Sequence, residues 1–203
     1  MNDLFEEPAN LALALEDADI SYTPSVELGQ TPEQLFKRLH EQVPWREERI
    51  TVWGKSHLQP RLFAWYGDAQ ASYSYSGIQL TPLPWLDELR QLRERLAMHC
   101  NSSFNSVLVN LYRNERDSMG MHADDEAELG PQPVIASLSL GEQRRFVLKH
   151  KYRKELKSHR LTLGSGSLLL MRGDTQRYWK HGIPKESKPC GPRINLTFRN
   201  IGS

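Results

Sequence analysis

The sequence predicts a mostly β domain with α elements: a double-stranded β-helix, or jelly roll, braced by N-terminal helices. Three observations lead there. From Phe104 onward the chain breaks into short apolar or alternating runs, glycines such as Gly130, Gly141, Gly164 and Gly191 punctuate them, and both helical patterns lie ahead of them.

The first 30 residues are acidic and weakly patterned, which predicts a loosely held arm outside the core. Residues 31–203 then form the domain proper. Thr31-Pro32-Glu33-Gln34 reads as a capping box with proline at the first helical position, and Leu35, Phe36, Leu39 and Val43 follow on one face. A second helix is signalled by Pro84-Trp85-Leu86-Asp87-Glu88-Leu89, with its apolar face continuing through Leu92 and Leu96 to brace a sheet. Strands are expected at Val107 to Tyr112, Val134 to Leu140, Arg145 to Leu148, Leu161 to Leu163, Ser167 to Met171, Gln176 to His181 and Ile194 to Phe198.

At 203 residues the chain suits one domain with appendages. No run approaches the roughly 18 apolar residues of a membrane span, and the start lacks a basic signal region, so a soluble intracellular protein is expected. Cys100 and Cys190 have no CxxC spacing and read as reduced thiols. Charge is divided along the chain: residues 1–36 hold eight acids and no Lys or Arg, while the rest carries 26 basic and 17 acidic side chains. That asymmetry favours a polyanionic partner for the body of the protein, with a solvated basic surface as the alternative.

His122-Ala123-Asp124 places an imidazole and a carboxylate at i and i+2, which project to one side of an extended segment. The pair alone is a weak signal. His181, about 57 residues downstream and just before Gly182-Ile183-Pro184, supplies a third ligand. Two histidines and one carboxylate make a facial triad that leaves iron positions free, against the ordinary reading of hydrogen-bonded structural histidines.

The C-terminal run Arg193-Ile194-Asn195-Leu196-Thr197-Phe198-Arg199 alternates, sending Arg193, Asn195, Thr197 and Arg199 to one face. Two guanidinium groups on the inner face of a buried strand are costly unless they meet anions, and a dicarboxylic cosubstrate fits. An edge strand with a solvated polar face is the alternative.

With these residues in place, the chain resembles the AlkB family of Fe(II)- and 2-oxoglutarate-dependent dioxygenases, especially the homologues that act on duplex DNA. The likeness covers roughly residues 50–201 and rests on ordered motifs: Asn110-Leu111-Tyr112, His122-Ala123-Asp124-Asp125-Glu126, Ala136 to Gly141, His181 to Pro184 and Arg193 to Arg199. It implies that His122, Asp124 and His181 hold Fe(II), with 2-oxoglutarate and O2 as cosubstrates. Arg193, Tyr112 and Asn195 match the positions that hold the distal carboxylate of 2-oxoglutarate; Arg199 and Asn110 match those near its metal-bound end, and Thr197 shares their strand face.

The resemblance also implies a substrate set, within a nucleotide-recognition lid at 45–80. Tyr73 and Tyr75 match the segment whose aromatic stacks on a flipped base, with Tyr75 opposite His122; a paired base must leave the stack to be reached. Asp125 and Glu126 would bond exocyclic groups of a cationic lesion. Trp53, with Gly54 and Lys55, sits where the duplex-acting homologues carry an intercalating hairpin, and would fill the gap left by the base. Packing of Trp53 on the body is the alternative. Residues 144–160 hold eight basic side chains against one acid, a cluster suited to phosphates.

What this implies is oxidative dealkylation of 1-methyladenine or 3-methylcytosine in DNA. 2-Oxoglutarate is decarboxylated to succinate, the N-alkyl group is hydroxylated, and formaldehyde leaves. Expected partners are alkylated DNA, duplex before single strand, with RNA possible and no membrane. The expected state is a monomer associated with DNA, cytoplasmic in a prokaryote and nuclear in a eukaryote. Competing readings are a dioxygenase acting on RNA or another substrate, and a DNA-binding module without catalysis.

Overall fold

The computed structural model describes residues 10–47, 49–52, 55–71, 73–75 and 78–202. The N-terminal segment supplies strands β1 (Leu11–Ala12) and β2 (Asp19–Thr23). Helix α1 (Pro32–Gln42) follows, then β3 (Arg49–Val52), β4 (Lys55–Leu58), β5 (Leu62–Gly67), β6 (Tyr73–Tyr75) and β7 (Ile78–Leu80). Helix α2 (Asp87–Cys100) precedes β8 (Ser106–Tyr112), β9 (Met119–His122), β10 (Ile135–Gly141), β11 (Arg144–His150), β12 (His159–Leu163) and β13 (Leu168–Arg172). A helical turn α3 (Thr175–Tyr178), β14 (Trp179–Ile183) and β15 (Arg193–Arg199) complete the chain.

The capping box forms as the sequence predicts: Gln34 N–H donates to Thr31 Oγ1 at 3.3 Å, and Thr31 N–H donates to Gln34 Oε1 at 3.2 Å. Leu35 and Leu39 are buried, and in α2 Leu89, Leu92, Leu96 and Cys100 are buried. The second helix ends where Asn101 turns left-handed at φ 47°.

Among the described strands, a larger sheet ordered β1-β2-β13-β10-β15-β8-β5 and a smaller one ordered β12-β11-β14-β9 are the two sheets of a jelly roll, and β3-β4 and β6-β7 form separate two-stranded pairs. Strand alternation divides the larger sheet into two faces. Val107, Val109, Leu138, Leu140, Leu168, Leu170, Ile194, Leu196 and Phe198 join the core that α1 and α2 cover. Ile135, Leu169, Met171 and Tyr112 turn the other way, toward Phe146, Leu148, Trp179 and Ile183 of the smaller sheet. Burying each large apolar side chain contributes roughly 1.5–3 kcal/mol, so the helices fix the larger sheet while its inner face stays free for polar residues.

The structure departs from the sequence reading in three places. Residues 10–30 are not loose: β2 pairs with β13 from Asp19↔Arg172 to Thr23↔Leu168, and Ile20 is buried. The alternation of Ile20 and Tyr22 is too short to stand out among acids. Strand β5 pairs with β8 through Leu62↔Leu111 to Gly67↔Ser106, so this part of the expected 45–80 lid belongs to the larger sheet. Gln176 to Tyr178 is a helical turn rather than a strand: Arg177 and Tyr178 N–H both donate to the Asp174 carbonyl, and extended pairing begins only at Trp179.

Candidate metal and cosubstrate site

His122 and His181 face each other across neighbouring strands. The register pairs His181 on β14 with His122 on β9, and their ring centroids are 4.4 Å apart. Asp124 lies two residues past the end of β9, with its carboxylate 3.9 Å from His122 Nε2 and 3.7 Å from His181 Nε2. One ligand atom from each of the three lies within 4.8 Å of the others. His122 Nδ1 donates to the Gly120 carbonyl at 3.0 Å, since a carbonyl only accepts, and this leaves the Nε2 lone pair toward Asp124.

Electrostatics suit a cation. Burial pushes the His181 imidazole down to about 3; Asp124 opposes this, while His122, Arg199 and Lys151 add to it. The ring is therefore neutral and offers a lone pair. Burial alone would raise the Asp124 carboxyl, but the Arg199 guanidinium and the two imidazoles outweigh it and hold it below the usual carboxylate range. Arg199 Nη2 is 3.0 Å from Asp124 Oδ1.

A small cavity opens beside this cluster, lined by Asn110, Tyr112, Arg193, Asn195, Thr197 and Arg199 among others. These are the polar face of β15 and its neighbour β8, as alternation requires. Arg193 is 1% exposed and donates from Nη2 to Ser139 Oγ at 2.9 Å, yet its Nε and Nη1 make no hydrogen bond among the described residues. Burial pulls this guanidinium down to about 10, and its centre lies 5.2 Å from the centroid of the Tyr112 ring. Two buried, unused donors beside a polar cavity fit an anionic carboxylate. The Asn195 amide donates to Ser137 Oγ at 2.8 Å and to the Leu138 carbonyl, while its own Oδ1 accepts from Thr197 Oγ1.

A larger, more open cavity meets the first at His122, Asp124, Asn110 and Arg199. Gln59, Arg61, Phe63, Trp65 and Glu126 form part of its wall. Among the described residues, Glu126 Oε2 is buried without a hydrogen-bond partner. Arg61 Nε donates to Asn110 Oδ1 at 2.8 Å, so Asn110 is shared between the two spaces. The sequence reading missed Arg61, Phe63 and Trp65, although their spacing of two was a usable strand signal.

The chain matches the 2OG-Fe(II) oxygenase superfamily over residues 22–199. It belongs to that family. This oxygenase is 40% identical over 178 residues to DNA oxidative demethylase ALKBH2 of Mus musculus, covering 83% of the chain and 74% of that protein. It is 39% identical to the Homo sapiens protein of the same name, over 92% of the chain and 74% of the relative. With alpha-ketoglutarate-dependent dioxygenase alkB homolog 3 of Homo sapiens it shares 41% identity over 82% of the chain and 60% of that protein. Among solved structures, OsALKBH1 superposes with a TM-score of 0.63 at 16% identity, covering 94% of the chain and 100% of the other, which supports the fold alone. The oxygenase is thus an AlkB-type enzyme that uses Fe(II), 2-oxoglutarate and O2.

The remaining expected residues fall out differently. Trp53 and Gly54 lie outside the described residues; Lys55 lies on β4 and Tyr73 and Tyr75 on the β6 strand that pairs with β7. Asp125 is half-exposed, lines neither cavity, and is paired with Lys151 Nζ at 2.7 Å. Of the basic cluster, Arg144 points inward because β11 alternates. It is 1% exposed, and its Nη2 donates to the Asp117 and Pro184 carbonyls at 2.8 Å each. Arg145 pairs with Glu186 and Arg153 with Glu16 and Glu155, whereas Lys149, Lys154, Lys157 and Arg160 are exposed.

Proposed function

We propose that this oxygenase repairs DNA by oxidative removal of N-alkyl groups, with 1-methyladenine and 3-methylcytosine as substrates and duplex DNA favoured over single strands. The reading is carried by the meeting of two cavities at one His-Asp-His cluster: an inner one with unused guanidinium donors, an outer one with a buried carboxylate oxygen that has no partner among the described residues. The names of its relatives support the same substrate class.

In this reading His122, Asp124 and His181 hold the metal, and Fe(II) with 2-oxoglutarate and O2 supplies the oxidising chemistry that ends in succinate, CO2 and a hydroxylated N-alkyl group losing formaldehyde. Arg193, with Tyr112 and Asn195, grips the distal carboxylate. Arg199 and Asn110 sit between metal and substrate spaces, where they order both. Glu126 accepts a hydrogen bond from the exocyclic amine of the extruded base, and its charge complements a cationic alkylated ring. Phe63, Trp65 and Leu129 give the outer cavity an apolar wall against which a base can pack. Positioning these groups around one ion is the protein's contribution.

Segments flanking β5, around Trp53 and Tyr75, are assigned as the recognition lid, with Trp53 as the wedge and Tyr73 and Tyr75 toward the base. Lys149, Lys154, Lys157 and Arg160 are available to phosphates. The enzyme acts where DNA is, in the cytoplasm of a prokaryote or the nucleus of a eukaryote; among the described residues no helix is long and apolar enough to cross a membrane.

The deciding experiment incubates the protein with Fe(II), 2-oxoglutarate and oligonucleotides carrying either lesion, single-stranded and duplex, beside a His122→Ala control. Base restoration with stoichiometric formaldehyde is expected from the wild type, faster on duplex. Restoration no greater than the control's would remove the repair reading.

A further inference from the structure

The loop that carries Asp124 is held from behind by two side chains outside the ligand set. Asp124 N–H donates to Gln176 Oε1 at 2.9 Å. The Gln176 carbonyl accepts from Lys151 Nζ at 2.7 Å, and the same ammonium lies 2.7 Å from Asp125 Oδ2. Gln176 is 2% exposed and the Lys151 side chain 11%.

We propose that Gln176 and Lys151 are positioning residues that lock the Asp124–Asp125 turn against α3 and the end of β11, and that Lys151 does this instead of contacting phosphate. The inference rests on the metal-site reading. Asp124 has left β9, so its buried amide has no ladder partner and needs a side-chain acceptor. The helical turn that replaces the expected strand at Gln176 aims the amide oxygen there. Among the described residues Gln176 Nε2 finds only the Met171 sulfur at 3.5 Å, so the side chain is oriented chiefly by what it accepts. Lys151 in turn fixes the backbone of that turn, and its pairing with Asp125 uses the ammonium on the protein's own acid. Groups behind metal ligands hold them in place, and their loss typically weakens metal affinity by about 10–100-fold.

The test measures Mn(II) affinity of the full chain by electron paramagnetic resonance, and affinity for an unmodified 20-base-pair duplex across a salt series. Gln176→Ala and Lys151→Met are expected to weaken Mn(II) binding by about tenfold or more. Lys151→Arg, which keeps donors, should recover part of it. Lys151→Met should leave the salt slope of duplex binding unchanged, whereas Lys149→Ala should lower it by about one without touching Mn(II) affinity. Should Gln176→Ala fail to fold, the two Lys151 variants carry the test. Unchanged Mn(II) affinity in Lys151→Met with a salt slope reduced by one overturns the relay and returns Lys151 to the phosphates. Equal Mn(II) binding by wild type and Asp124→Ala overturns instead the metal-site reading beneath it.

Discussion

Arg199 Nη2 lies 3.0 Å from Asp124 Oδ1, and in the metal-free chain this guanidinium is the permanent cation facing a carboxylate that is almost wholly buried. Removing one member of such a pair leaves an uncompensated charge, at a cost of about 3–5 kcal/mol. Arg199→Met should therefore destabilise the metal-free protein by that order. A bound divalent ion replaces the missing charge, so saturating Mn(II) should return a substantial part of the loss. Urea unfolding with and without Mn(II) checks this; identical losses in both conditions count against a shared ion site.

Arg193 predicts the opposite sign. Its Nε and Nη1 are buried without hydrogen bonds among the described residues, so the guanidinium is a liability until an anion arrives. Arg193→Met should unfold at the same or a higher temperature than wild type when no cosubstrate is present. Wild type should gain about 2.7 kcal/mol from 2-oxoglutarate at one hundred times its dissociation constant, and the variant essentially nothing. Thermal unfolding across a 2-oxoglutarate titration reads both effects, and an undiminished ligand shift in the variant would place the distal carboxylate elsewhere.

The His122–Asp124 pair and β15 were legible because each depends on a local period, whereas His181 came only with the motif before Gly182-Ile183-Pro184, since its pairing with His122 joins strands far apart in the chain. Residues two apart on a strand share a face, which placed Arg193, Asn195, Thr197 and Arg199 together before any tertiary information entered. What depends on pairing over long separations was not legible. Arg144 is separated by 40 residues from the Pro184 carbonyl it serves, and by sequence it was one more surface cation. Gln176 reads as a strand residue because the strand-favouring aromatics Tyr178 and Trp179 follow it, while the Asp174 carbonyl that winds it into a turn accepts its bonds only in the folded backbone. Arg61, Phe63 and Trp65 carried a usable spacing of two, but the apolar Leu62, Ala64 and Tyr66 between them leave the run without a polar–apolar alternation that says which face meets the cavity.

Acid sensitivity should arise partly at Glu186. Burial alone would raise this carboxyl, but the Arg145 hydrogen bonds and charge, aided by Arg144, outweigh it and bring it below its ordinary 4.5. The unfolded chain then takes up the proton first as pH falls, so the pair's contribution is complete above 4.5 and is lost as pH drops through the lower folded value. Glu186→Gln should be less stable than wild type at pH 6 and converge on it as pH falls below the folded value. Unfolding free energies across that pH range, compared between the two proteins, test the convergence; a constant difference rules out titration of Glu186 as its source.

Gly182 sits beside a metal ligand at a point where β9 and β14 come unusually close. A methyl group there would lie 2.9 Å from the Met119 carbonyl, 3.1 Å from the Gly120 carbonyl and 3.1 Å from the Met121 sulfur. Two of these are backbone atoms and cannot swing away, so Gly182→Ala must push the strands apart. The same strands pair His122 with His181, and the Gly120 carbonyl is the acceptor that orients the His122 ring. Separation therefore reaches the ligand geometry directly, while the helix-backed core on the far side of the larger sheet is untouched. Gly182→Ala should keep native far-ultraviolet circular dichroism and lose at least about tenfold in Mn(II) affinity, the scale seen when groups orienting a ligand are disturbed. Gly120→Ala is the matched control on the partner strand, because a methyl group there meets nothing within 4 Å. It should bind Mn(II) like wild type, and equal weakening in the two variants would show that strand flexibility rather than strand spacing governs the site.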